Sequence, residues 1–313
     1  MTEFKKEFAE VWPRITNKPF FFALLAAWLL LFHLIGNSSF GYYNTASLLR
    51  WMFNTYNEPN SDDSHGLLIP FAVLGLIWWK RKELLELPQR AWWPGVALLF
   101  VAVAMHLIGY VVQQPRISIA AFFTGLYALV GLTWGWRWMK ATLFPFVLFA
   151  YCMPLSSLDL LTNITLPLRI IAAAASTGIA HGVLGLEVVR QGTQIFNPGH
   201  SYSYEVAAAC SGIRSLIALS ALMFIYSMMT FRAPWKRTAI VVLCVPLALV
   251  CNILRVLTMI IAGETFGFEA AKTADNVAWV FTFALAIVVM FVISHFWADK
   301  TSSSEAKPAE VAL

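Results

Sequence analysis

Cys210-Ser211-Gly212-Ile213-Arg214 is the stretch of this chain best furnished for covalent chemistry. Its four-residue spacing puts Cys210 and Arg214 on one helical face, about one turn apart. A helix N-terminus and a nearby guanidinium both favour a thiolate over a thiol, and a thiolate is a strong nucleophile near neutral pH. The bland alternative stands beside it, because free cysteines in apolar runs are mostly small buried hydrophobes. Cys152, Cys244 and Cys251 are read that way, each taken to lack a cation on its own face. The four cysteines show no metal-ligand spacing such as CxxC, so neither a metal nor a cofactor is expected.

Two further polar groups stand where a membrane should reject them. Arg255 lies well inside an apolar run, in Cys251-Asn252-Ile253-Leu254-Arg255-Val256. An arginine in a spanning helix costs about 2.5–3.5 kcal/mol on insertion scales unless it snorkels or finds a partner. Arg255 either serves a developing negative charge or pairs with an outer phosphate or a carbonyl. His65, in Asp62-Asp63-Ser64-His65-Gly66, is either a base and hydrogen-bond donor or a helix cap together with Ser64. Asp275 and Asn276 open the last apolar run at the same level.

The elements that must position these groups are set by composition. Of 313 residues, 12% are charged and 59% are hydrophobic, and mean hydropathy is +0.68. A soluble domain carries roughly 25% charge, so a soluble enzyme is excluded and an all-α polytopic membrane protein is expected. Apolar runs at Pro19–Ile35, Gly66–Trp79, Trp92–Val112, Ile117–Trp134, Ala141–Met153, Ala207–Met229, Thr238–Ile261 and Ala274–Phe296 predict about eight transmembrane helices. Basic residues gather in Met1–Lys18, Lys80–Arg90, Arg137–Lys140 and Arg232–Arg237, which the positive-inside rule puts in the cytoplasm. All four stay inside together when Leu160–Ala180 does not complete a crossing of its own. On this topology Cys210, Arg214, Arg255 and His65 share the outer face.

The expected organisation is a cytoplasmic N-terminus (1–18), one transmembrane domain (19–298) with an outer region over about 158–206, and a disordered cytoplasmic tail (299–313). No cleavable signal is expected at the start. Leu186–Val206, with Gly192, Asn197, Pro198 and Gly199 among β-prone residues, predicts a short extended ribbon with a turn before the Cys210 helix. The net charge of +5 is small and forms no basic stripe, so nucleic acid is not a partner. There is no HExxH, Walker A or GxSxG sequence.

The stretch Val206–Leu216, with Cys210, Ser211, Gly212 and Arg214, resembles the nucleophile motif of the exosortase/archaeosortase family of multi-span membrane cysteine transpeptidases. Asn252–Val256 resembles the family's second motif, which carries its essential arginine, here Arg255. Ser64–Pro70, followed by an apolar run and Trp79-Lys80-Arg81-Lys82, is similar to its N-terminal signature. The resemblance covers about residues 20 to 298. The family usually opens its last span with His-Asp-x-x-Gly-Trp, whereas this chain reads Ala274-Asp275-Asn276-Val277-Ala278-Trp279. His65 is then the nearest outer-face substitute for the histidine, since His295 stands too close to the inner end.

The resemblance implies an enzyme of the bacterial inner membrane whose site faces the periplasm. Its partners would be membrane-anchored proteins ending in a short Pro-Glu-Pro-like motif, a transmembrane helix and a basic tail, together with an acceptor nucleophile of unknown identity and the lipid bilayer. The implied roles are thiolate attack by Cys210, oxyanion stabilisation or peptide orientation by Arg255, support from Arg214 and acid–base work by His65. The usual setting is exopolysaccharide-associated surface sorting in Gram-negative bacteria. Two rival readings remain: a multi-span transporter, or a membrane transferase acting on a lipid-linked anionic substrate.

Overall fold

Proline, glycine and short basic segments punctuate the apolar runs and set where the helices begin and end. The computed structural model describes residues 2–39, 45–58, 61, 63–154, 159–198, 203–205, 213–231 and 233–297. The chain divides into two compact units, Met1–Ser157 and Leu158–Leu313.

The first unit contains α1 (Thr2–Val11), α2 (Lys18–Leu34), α3 (Leu48–Tyr56), α4 (Ile69–Trp79), α5 (Arg81–Glu86), α6 (Gly95–Val111), α7 (Pro115–Trp134) and α8 (Trp136–Val147). Pro19, Pro70 and Pro115 lie in the first turns of α2, α4 and α7, where a missing N–H leaves no bond unmade. α7 is the centre of this unit. Trp28 of α2 donates its indole N–H to the Phe122 carbonyl at 3.0 Å, and Gly125 leaves the space that its ring fills. α7 gives way to α8 at Gly135, whose φ of +97° suits glycine and whose missing side chain admits the Arg90 carbonyl. Leu84, Val130, Trp134, Trp138 and Met139 form a buried cluster at that end.

The second unit contains α9 (Asp159–Gly182), three short strands, α10 (Ile213–Thr230), α11 (Pro234–Phe266) and α12 (Phe268–Trp297). The strands β1 (Val189–Gln191), β2 (Gln194–Phe196) and β3 (Ser203–Glu205) form an antiparallel sheet in sequence order. Gly192, at φ +63°, makes the tight turn between β1 and β2. The extended ribbon expected before the Cys210 helix is thus present as this sheet. Ile195 of β2 is fully buried with Ala180, Val256, Met259, Ile260 and Ala271, so the sheet covers the end of the α11–α12 hairpin. That hairpin turns on one residue, Gly267, at φ +87°.

The expected eight transmembrane helices are not found. Among the described residues three helices are long and apolar enough to cross a membrane, namely α7 (20 residues), α11 (33) and α12 (30). A fourth is reached only if α1 and the turn after it are joined to α2 across a 96° bend. The run at 66–79 resolves into a 3-10 turn at Ser64–Leu67 and the 11-residue α4, about 17 Å long. The run at 141–153 is the end of α8, with Pro145 inside it, followed by a 3-10 turn at Leu148–Cys152. α6 is 17 residues long. An apolar run records burial, and burial in protein looks the same as burial in lipid. Two thirds of the central stretch of α7 (67%) is enclosed by this chain, against 28% for α11 and 24% for α12.

Candidate active site

The α11–α12 hairpin builds the centre of the site. Counting from Gly267 at 1.5 Å per residue, Arg255 lies about 18 Å before the turn and Asp275 about 12 Å after it. There the Arg255 Nε donates to the Asp275 Oδ1 at 2.6 Å, and the two side chains are 14% and 12% exposed. A charge-assisted bond of this length is among the strong ones, and it offsets the cost of holding a guanidinium between apolar helices. The sequence placed both residues at one level, and the structure brings them into contact.

Asn252 and Arg255 line a cavity of about 30 Å³ together with Cys251, Thr282 and Leu219, room for about one water. Leu219 comes from α10, so the first turns of α10 reach the same cavity as Arg255. Arg214 is the second residue of α10. Cys210 lies outside the described residues, as do the rest of Val206–Gly212, Asp62 and the tail over 299–313.

Each of the three described cysteines donates to a backbone carbonyl. Cys244 donates its S–H to the Leu216 carbonyl at 3.6 Å, Cys251 to Thr282 at 3.2 Å and Cys152 to Gly66 at 3.7 Å. Burial pushes the Cys152 thiol up to about 12. Cys251, however, stands four residues before Arg255 and shares its cavity. It therefore has the spacing that singled out Cys210 and Arg214, a signal present in the sequence and passed over there.

His65 belongs to the first unit, in the 3-10 turn Ser64–Leu67 that leads into α4. Neither that turn nor α4 has a side-chain cap bond, the N-cap positions being Asp63 and Leu68, so the capping role considered for His65 and Ser64 is not the one adopted. The turn is held from outside. The Tyr56 ring packs on Gly66, the Tyr56 hydroxyl donates to the Cys152 carbonyl, and the Cys152 thiol donates back to the Gly66 carbonyl. Burial, reinforced by Cys152 and the buried Asp63, pushes the Tyr56 phenol above its ordinary range and keeps it a donor.

A second histidine was overlooked because it falls in the segment of uncertain crossing. Ser176 of α9 donates to the Ile253 carbonyl of α11 at 3.2 Å, and Ala180 packs in one cluster with Val256 and Met259. His181, exposed, is the next residue, so α9 delivers it to the Arg255 half of α11.

No curated protein and no solved structure matches the chain. The sequence profile of the transmembrane exosortases does, over residues 54–292, a span that takes in His65, Cys210, Arg214, Arg255 and Asp275. With its long apolar helices this makes the protein a multi-pass enzyme of the inner membrane, of the exosortase type, acting on transmembrane substrates. A profile that covers well over half the length settles the family: the chain belongs to the transmembrane exosortases.

Proposed function

We propose that the protein is a cysteine transpeptidase that cleaves C-terminal sorting signals at the outer face of the inner membrane. The signal comprises a short motif, a transmembrane helix and a basic tail. The Cys210 thiolate attacks the peptide carbonyl near the motif, the carbonyl π electrons move to oxygen, and a tetrahedral oxyanion forms. Collapse of that intermediate breaks the C–N bond and expels the amine, which takes up a proton, leaving a thioester on Cys210. An acceptor nucleophile, or water, attacks the thioester and restores the thiolate.

Arg214, four residues after Cys210 in the sequence, keeps the sulfur ionised. His65 supplies the proton to the departing amine. Arg255 stabilises the oxyanion or orients the peptide, as a fixed cation does best where water is scarce. The observation that carries this reading is the Arg255–Asp275 pair. A guanidinium held through Nε by a buried carboxylate has its orientation fixed between α11 and α12.

The test is processing of a co-expressed protein that ends in such a signal. Cys210→Ala should abolish processing, while Cys244→Ala and Cys251→Ala should retain it. Equal processing by the wild type and Cys210→Ala would eliminate the transpeptidase reading.

A further inference from the structure

The first unit contains a second cavity that this chemistry does not use. Its volume is about 560 Å³, within the range of small-molecule sites. Phe4, Phe8 and Trp12 form one wall, Trp78, Leu84 and Trp138 line the other, and Arg81 is the one charged residue of the lining.

The sequence of α1 explains why such a space exists. Phe4, Phe8 and Val11 repeat at helical spacing, while Glu3, Lys5, Lys6, Glu7 and Glu10 occupy the remaining faces. α1 and its following turn meet α2 at 96°. An amphipathic helix set at a right angle to an apolar one lies along a membrane surface. It is pinned there by Glu7, whose carboxylate is 2.7 Å from Arg81, and by Phe4, whose ring centroid is 5.0 Å from that of Trp78. Yet Phe4 and Phe8 remain 55% and 42% exposed, so the apolar face of α1 is only partly covered by its own protein.

We propose that this cavity seats an acyl chain of an anionic phospholipid from the adjoining leaflet, with the lipid phosphate held at Arg81 and Lys18. Lys18 lies over the Trp12 ring, 5.1 Å from its centroid, and Arg81 lies over Trp78 at 4.8 Å. Arg81 thus lines the cavity, and Lys18, whose Nζ also donates to the Trp12 carbonyl at 2.6 Å, stands beside it on the ring of the lining residue Trp12, at the boundary where lipid headgroups meet chains. Basic pockets at that level select anionic headgroups. The lining itself holds no carboxylate to receive a basic tail, which argues against a sorting-signal helix as the occupant. The proposal needs α1 to lie on a membrane surface and does not depend on Cys210.

The test is native mass spectrometry of the full chain released from bilayers of equal parts phosphatidylglycerol and phosphatidylcholine. The wild type should retain one phospholipid, with phosphatidylglycerol favoured several-fold. Gly75 lines the cavity and a Cβ there would meet nothing within 4 Å, so Gly75→Leu should project into the cavity and lose the retained lipid. Gly75→Val is the smaller filler should the leucine variant not fold. Arg81→Gln combined with Lys18→Gln should keep a retained lipid and lose the headgroup preference. A Gly75 variant that carries the wild-type lipid complement would overturn the proposal, as would a wild type that retains no lipid, only detergent, or both headgroups equally.

Discussion

Deleting the carboxylate of Asp275 takes from the Arg255 guanidinium the ion-pair partner it has on α12. Breaking a buried pair by removing one member costs about 3–5 kcal/mol, because the surviving charge stays desolvated. At 14% and 12% exposure, water screens little of this, so Asp275→Ala should lose stability on that scale. Asp275→Asn keeps an acceptor for Nε and forfeits the charge assistance, a loss of about 1–2 kcal/mol. Arg255→Met with Asp275→Leu removes both charges for apolar groups of similar bulk, an exchange that is often neutral or stabilising. The double variant separates structure from chemistry. It should resist heat at least as well as Asp275→Asn, measured as the fraction that stays monodisperse after graded heating. It should nevertheless process a sorting-signal substrate about 10²- to 10³-fold more slowly, the usual effect of losing an oxyanion donor. Wild-type processing by the double variant would show that Arg255 only holds α11 to α12. Wild-type heat resistance of Asp275→Ala would refute the energetic argument itself.

Two further outcomes follow from the turn that carries His65. With its pKa near 12, on the order of 10⁻⁴ of the Cys152 thiol is ionised at pH 8, so a chain with Cys152 as its sole cysteine should react with a permeant maleimide only after denaturation; labelling in native membranes at the denatured rate would contradict the burial. In Gly66→Ala the new methyl group would come within 2.7 Å of the Tyr56 ring, and the overpacking should cost about 1–3 kcal/mol in thermal stability. That increment should largely vanish in a Tyr56→Ala background, and an equal loss in both backgrounds would exclude the ring as its cause.

The parts of this structure that depend on local pattern were readable in the sequence. The ribbon over Leu186–Val206 announced itself through Gly192 and its β-prone flanks, and β1 and β2 turn there. Arg255 and Asp275 could be set at one level by counting, but their contact could not be foreseen. The sequence between them reads as an outer loop, whereas α11 and α12 continue to a turn of one residue at Gly267 and so keep the two side chains face to face. The number of crossings was misread for a different reason. Gly66–Trp79 and Ala141–Met153 are apolar enough for lipid, and their helices are too short to cross it. Contacts such as Tyr56 to Cys152, 96 residues apart, leave no local pattern.

The source of the proton for the leaving amine is the remaining choice, and chemistry narrows it. Ala274 has no acid–base group, and Asp275 beside it is committed to Arg255. Tyr56 and Cys152 are held in their protonated forms by burial. His33 is engaged with Ser47, and His106 uses one ring nitrogen on Ser118 and the other on the Ile35 carbonyl. Among the described histidines, with His295 at the end of α12 far from Asp275, His65 and His181 are therefore the two to compare. A histidine acting as general acid works in its protonated form, so its contribution is present at low pH and lost as pH rises through its pKa. Thiolate formation at Cys210 has the opposite slope, and the two together give a bell-shaped rate profile. His65→Gln should flatten the alkaline limb and slow processing by about 10²- to 10⁴-fold, with His181→Gln keeping both limbs. An intact bell in His65→Gln, paired with a flattened limb in His181→Gln, would move the acid from the turn before α4 to the last turn of α9.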